Sequence, residues 1–326
     1  MIYLISTPGA LSAYEIQEWL RFYDCEYIRI NKGDQIDDLK ITVTTEVNSI
    51  EFTHLGKEVC IRENDNSRFM YRKGMLTNPD IIEGTGNEIS EFNKNTRWNW
   101  ENIRDFILNR FYNFKSLGSY HHELNNNKIE NLRWAAMSGF NIPHGVICTS
   151  RKEVISMFNT YGEIITKDLR YPINIKLDKE GYATAGTTMI TEADLEGMPE
   201  KFSPSLVQQY IEKEFEIRIF FMNQELFPMA IFSQSDDQTK VDYRNYNWRK
   251  MNRNVPYKLD TETESNVLSF IEKSGLDTGS IDLIRTKTGA FYFLEVNPSG
   301  QFSWLSYYCN YEIEKRIANY LKDEEK

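Results

Sequence analysis

The stretch Leu294-Glu295-Val296-Asn297-Pro298-Ser299-Gly300-Gln301-Phe302, LEVNPSGQF, ends an apolar run, AFYFLEV, with a carboxylate and an amide two residues apart. Side chains of a strand alternate between faces, so Glu295 and Asn297 share one face and Leu294 and Val296 take the other. Pro298 ends the strand because it has no N–H to give to a ladder. Upstream, SIDLI sets Asp282 between Ile281 and Leu283, and TKTG offers a turn between the two strands. Paired as an antiparallel hairpin, these strands bring Asp282 opposite Glu295. Two like charges so placed are costly unless a cation or protons neutralise them. The oxygens of Asp282, Glu295 and Asn297 suit Mg²⁺, which keeps waters and recruits phosphate oxygens. An ordinary exposed strand face is the plainer alternative.

The chain has 326 residues, enough for about two domains. With 40% hydrophobic and 13% aromatic residues it can fill real cores. Lys plus Arg number 38 against 48 Asp plus Glu, a net charge of -10, which argues against generic nucleic-acid or anionic-membrane binding. Apolar runs are strand-sized, and none approaches the ~20 residues of a membrane span. MIYLISTPGALSAYEIQEW lacks a basic n-region and reads as a strand leading into a helix. Cys25, Cys60, Cys148 and Cys309 show no CxxC spacing, as expected for reduced thiols in the cytoplasm.

The pattern opens as strand, helix, strand, followed by alternating stretches KITVTTE, SIEFTHLGKEVCI and SRFMYRKG. A helix over WNWENIRDFILNRFYNF is expected to pack against the rest of the chain or a twofold partner. HHELNNNK reads as a loop between domains, and a helix follows from Lys128 to about Ala136. EIITKDL, SLVQQYI, FEIRIFFM, LFPMAIFS, GSIDLIRT and AFYFLEV are strands. Helices are expected near 261–274 and 311–322.

A metal that carries a nucleotide needs cations for phosphates and a hinge for a base. Lys167 ends the apolar strand EIITK, and Lys128 opens a helix after a polar loop; either can act as a point charge toward phosphates. The link after LVQQYI can present backbone N–H and C=O groups to an adenine edge, with Glu216 placed for ribose hydroxyls. Only Gly181 and Gly186 follow Lys167 in this region, so a β-hairpin within NIKLDKEGYATAGTTMI would have to cover the phosphates.

Lys128, Lys167, QQYI, EIR, SID and LEVNPSGQ, in that order, resemble the ATP-grasp ligase superfamily over about residues 120–305. The resemblance implies an α+β fold: an N-terminal α/β domain, 1–117, and two α+β subdomains, 118–203 and 204–326, that enclose ATP. It implies Mg²⁺ on Asp282, Glu295 and Asn297, phosphate contacts from Lys128 and Lys167, a base hinge at Gln209, Tyr210 and Ile211, and Glu216 on the ribose. KVDYRNYN is similar to the D-F-R-x-N stretch of glutamate-adding ligases. The wider pattern through NRNVPY and LEVNPSGQF looks like graspetide synthetases, especially the grasp-with-spasm branch. Those enzymes join Asp or Glu side chains of a ribosomal precursor peptide to Ser/Thr hydroxyls or Lys amines. The implied partner is a precursor with a leader and an acidic core, and a homodimer is also expected.

Arg218, on EIRIF, and Arg244, in DYRNYN, are the candidates for binding the carboxylate and the transferred phosphoryl group, because a guanidinium fork matches both. Arg244, Arg249, Lys250, Arg253 and Lys258 form a positive strip without an intervening acid, suited to an acidic peptide or simply to solvent. The hairpin that covers ATP also offers an edge to which a leader could add a strand. His54, His121, His122 and His144 lack metal-ligand spacing, and the HH pair is expected to face solvent. Rival readings are a ligase that adds free amino acids, and a nucleotide-binding regulator without chemistry.

Overall fold

The strand, helix, strand pattern of the N-terminus is what the chain builds. The computed structural model describes residues 1–45, 48–63, 65–77, 86–111, 114–170, 174–176, 182–184, 186–236, 243, 249 and 251–322. In it, β1 (Ile2–Ser6), α1 (Leu11–Phe22) and β2 (Tyr27–Asn31) form a parallel unit. The strands β3 (Ile36–Thr42), β4 (Ser49–His54) and β5 (Lys57–Arg62) make a separate antiparallel sheet. The chain then returns through β6 (Arg68–Tyr71), α2 (Asn87–Phe111) and β7 (Lys115–Leu117), giving a parallel sheet of order β2-β1-β6-β7. β1 is buried at every position, Ile2 and Leu4 in one core and Tyr3 and Ile5 in another, which is why it reads as an unbroken apolar run.

Two expectations need correction here. α2 begins at Asn87, well before the aromatic WNW, because the polar ISEFNKNTR ahead of it holds neither Gly nor Pro to stop a helix. The expected loop HHELNNNK instead starts in a short helix, α3 (Tyr120–Leu124), whose first turn is capped by Ser119 Oγ accepting from the His121 N–H and anchored by buried Tyr120. His121 is exposed, but His122 is half-buried, and burial pulls its pKa down.

The next segment holds α4 (Lys128–Met137), β8 (Gly145–Ser150), α5 (Arg151–Tyr161), β9 (Ile164–Lys167), β10 (Asn174–Lys176), β11 (Tyr182–Thr184), β12 (Thr188–Ile190), α6 (Glu192–Gly197) and β13 (Lys201–Gln209). An antiparallel sheet of order β12-β9-β13-β8 packs its Ile164, Val207 and Cys148 face on α5, while β10 and β11 pair as a separate antiparallel hairpin. Asn127 caps α4 by accepting from the N–H groups of Ile129 and Glu130, fixing where Lys128 emerges.

The remaining elements are β14 (Phe215–Met222), β15 (Glu225–Phe232), β16 (Arg253–Pro256), α7 (Thr261–Ser274), β17 (Thr278–Arg285), β18 (Phe291–Asn297), α8 (Ser303–Cys309) and α9 (Ile313–Lys322). Five antiparallel strands run in the order β16-β15-β14-β17-β18. Central β14 is buried throughout, and its two faces have different tasks. Phe215, Ile217, Ile219 and Phe221 join a core with α4 and α7. Phe220 and Met222 point the other way, into a core shared with α1, β1, β6, α8 and α9. Glu216 and Arg218 lie on that same second face, beyond the apolar cover. The fold is α+β.

Asp277, just before β17, ties the N-terminal sheet to this one. Its Oδ2 accepts from the Gly118 N–H at 3.0 Å, its backbone carbonyl accepts from the Asn223 N–H, and its Oδ1 is buried without a partner among the described residues. Burial pushes the carboxyl up from 3.8 to about 6. A raised acid favours the fold while protonated, and that contribution is lost as pH rises from about 4 through about 6. Asp277→Asn should therefore match the wild type in urea unfolding near pH 4 and exceed it by about 1–3 kcal/mol at pH 8. An equal difference at both pH values would show that ionisation of Asp277 is not the cause.

Candidate functional site

The hairpin expected from TKTG forms, closed by the Gly289 N–H donating to Thr286 O, with Gly289 at φ +89°. It pairs β17 with β18 so that Asp282 faces Glu295 and Ser280 faces Asn297. The register slips by one residue between Asp282 and Leu283, leaving Leu294 as the extra residue of a bulge. This corrects one detail of strict alternation. Val296 and Phe293 enter the core, whereas Leu294 lines the cleft beside Glu295.

Each carboxylate has a cation against it. Arg218 stands opposite Asp282 in the β14–β17 register, and its Nη1 reaches both Asp282 oxygens at 3.0 and 2.9 Å. The same nitrogen donates to the Tyr243 hydroxyl at 3.1 Å. Burial opposes the Arg218 charge, but the Asp282 carboxylate and Tyr243 outweigh it and hold the guanidinium pKa above its usual value. Lys128 reaches Glu295 Oε2 at 3.2 Å because α4 packs against β18, and its Nζ also donates to Asp168 O. Asn297, exposed at the strand end, accepts the Ser299 N–H on its Oδ1.

A cleft of about 670 Å³ opens between this sheet and the one containing β9 and β13. Its walls bring together Lys167, Gln209, Tyr210, Ile211, Glu216, Asp282 and Glu295, seven of the residues singled out in the sequence. Lys128 adjoins them through Glu295, and Arg218 through Asp282. The N–H groups of Gln209 and Tyr210 donate to the carbonyls of His144 and Glu163, and Ile211, next along the hinge, lines the cleft. Glu216 is committed: one oxygen pairs with Lys213 and the other accepts from Ser233 Oγ. Arg244 and Lys250 lie outside the described residues, as do Gly181 and the hairpin tip at 177–181. Arg249, Arg253 and Lys258 of the basic strip are exposed.

Sequence reasoning missed Lys213, Tyr243 and the apolar lining of Pro143, Ile165, Ile284 and Leu294. Lys213 left one signal, a lysine three residues before the acid of EIR. Tyr243 left another, a hydroxyl where the similar D-F-R stretch has a phenyl ring.

Among the described residues no three His, Cys, Asp or Glu side chains converge as a metal cage. A cation at this hairpin would meet the Asp282–Glu295 pair, with Asn297 two residues on in the same strand. These donors fit a hard divalent cation: two carboxylates face each other, and the charge they carry is at present answered by Arg218 and Lys128.

No curated protein sequence matches the chain. Solved structures that share its fold include three with a peptide bound. A RiPP-associated ATP-grasp ligase of Chryseobacterium gregarium, in complex with ADP and a leader and core peptide, is 22% identical, with 98% of this chain and 95% of that one covered at a TM-score of 0.79. The macrocyclase MdnC of Microcystis aeruginosa MRC, bound with precursor peptide MdnA, is 22% identical, with 98% and 99% covered at 0.77. The ATP-grasp ligase PsnB, complexed with minimal precursor, Mg and ADP, is 15% identical, with 98% and 96% covered at 0.72. Residues 126–321, which hold the cleft and all of its paired charges, match the RimK-like ATP-grasp domain, and the chain belongs to that family.

Proposed function

We propose that this chain is an ATP-dependent peptide maturase that activates Asp or Glu side chains of a ribosomal precursor and joins them to Ser/Thr hydroxyls or Lys amines. The observation that carries the reading is the Asp282–Glu295 pair, counter-charged by Arg218 and Lys128, at the floor of a cleft that also holds Lys167 and the 209–211 hinge. ATP would lie in this cleft with its base against Ile165, Ile211, Ile284 and Leu294. Lys167 and Lys128 would take up phosphate charge as Lys128 gives up Glu295. Asp282, Glu295 and Asn297 would hold Mg²⁺, which supplies charge neutralisation on the phosphates. Glu216, held by Lys213 and Ser233, would accept from the ribose hydroxyls on its remaining lone pairs.

A carboxylate does not condense with a hydroxyl or amine at neutral pH because oxide is a poor leaving group. Transfer of the γ-phosphoryl group to a carboxylate oxygen breaks the bond to ADP and forms an acyl phosphate. The acceptor oxygen or nitrogen then attacks the carbonyl, and phosphate departs with the C–O electron pair while the acceptor loses its proton. Arg218, and Arg244 next to Tyr243 in the sequence, are the residues proposed to hold the acid through both steps. The peptide-bound structures of similar fold support a peptide as the substrate. The three-part division at 117/118 and 203/204 belongs to this proposal, with α4 crossing over to lie on the C-terminal sheet.

The test is mass spectrometry of any short acidic peptide encoded beside this chain's gene, incubated with the protein, ATP and Mg²⁺. Loss of about 18 Da per ring, one water, that disappears in Asn297→Ala supports the maturase. Gains by amino-acid units would move the assignment to an amino-acid-adding ligase. ATP binding without any mass change would favour a regulator.

A further inference from the structure

Arg72 follows β6 at the carboxyl end of the parallel sheet, the edge of an open α/β sheet where ligands gather. Its side chain crosses to the C-terminal sheet. Nε donates to Ser12 Oγ at 2.7 Å, Nη1 donates to Gly300 O at 2.9 Å, and the guanidinium stands 4.5 Å from the centre of the Phe302 ring. Phe302 packs on Phe220 at 4.6 Å, and Phe220 is the next residue after Arg218 on the same face of β14. The N-terminal sheet thus delivers a cation to the row of side chains adjoining the Arg218–Asp282 pair.

Other charges around the cleft have opposite charges beside them: Arg218 with Asp282, Lys128 with Glu295, Lys213 with Glu216. Arg72 has none within ion-pair distance among the described residues. The two acids whose fields reach it, Glu123 and Glu314, accept from Ser299 Oγ and Ser306 Oγ instead. Burial, and then the neighbouring Arg218, pull the Arg72 pKa down to about 10. Arg218 contributes a second feature: its Nε is buried without a partner among the described residues. Among the described residues, these two partly desolvated guanidiniums have one directly paired carboxylate, Asp282 on Arg218, and Arg218 Nε as an unused donor. A bound anion supplies the second negative charge.

We propose that Arg72 is a substrate-binding residue, forming with Arg218 a two-guanidinium site for the acid under activation, first its carboxylate and then the phosphoryl group it carries. The proposal rests on the maturase reading for the identity of the acid, but the anion site stands on geometry alone. It follows that the catalytic centre is completed by the N-terminal domain and does not lie wholly within residues 126–321.

Two experiments separate these levels. Inorganic phosphate is the first probe, titrated into the full chain saturated with Mg²⁺ and ADP and read by ³¹P NMR. Arg72→Gln should weaken phosphate binding by about tenfold or more while leaving ADP affinity unchanged. Arg72→Lys should lose about threefold, since an ammonium cannot place two parallel N–H donors on one phosphate. If Arg72→Gln does not fold, the Lys variant alone decides. Unchanged phosphate binding, or a loss that only follows a parallel fall in ADP binding and thermal stability, overturns the site. The second experiment measures turnover of the acidic peptide. Arg72→Gln should raise KM for the peptide while KM for ATP holds. Weakened phosphate binding together with no peptide turnover even by the wild type would keep the anion site and discard the maturase.

Discussion

Arg218→Met should destabilise the fold by about 3–5 kcal/mol and abolish ATP consumption in the same step. Asp282 is only 8% exposed, and both its oxygens accept from Arg218 Nη1, so removing the guanidinium takes from a buried carboxylate the counter-charge that β14 supplies. The cost measures that stranded charge more than the worth of the pair. Arg218→Met combined with Asp282→Leu should therefore recover most of the lost stability without recovering activity, because apolar side chains can replace a buried ion pair at little cost. Denaturant unfolding of the two single variants and the double variant reads the coupling directly. Additive losses would mean that Arg218 is not held in place by Asp282 and that its part in the site has been misjudged.

Glu295→Gln should show the opposite profile. Its partner Lys128 is 19% exposed and Glu295 itself 24%, so solvent screens the pair and stability should change by no more than about 1 kcal/mol. Gln keeps the shape of the side chain but not its charge, and a site that must gather phosphates and a divalent cation needs the charge. Acid-dependent ADP release should fall by about 10²–10³-fold. An unfolding free energy that drops in step with activity would make Glu295 a structural residue, and undiminished ADP release would remove it from the metal set.

Much of the site was legible because strands publish their geometry. Asp282 opposite Glu295, and Arg218 on the inward face of EIRIF, follow from alternation and one tight turn. The Leu294 bulge was not legible, since a one-residue slip in register leaves no mark in the order of apolar residues. Lys128 was placed only by analogy with related chains. What sets it beside Glu295 is α4 lying against α7 and β18, a packing choice made across the chain. The α3 helix was missed for a similar reason: Ser119 and buried Tyr120 hold five polar-looking residues in a turn that composition alone reads as a loop.

The sequence by itself determined the strands, their buried faces, and the polar residues those faces carry, because each depends on neighbours within a few positions and one hairpin. Only the tertiary structure decided which cation answers which carboxylate, that Glu216 is held by Lys213 and Ser233, and that Arg72 arrives from the far sheet with no acid at ion-pair distance among the described residues. Those outcomes depend on charges brought together from distant parts of the chain, where burial sets their energy and no local pattern records it.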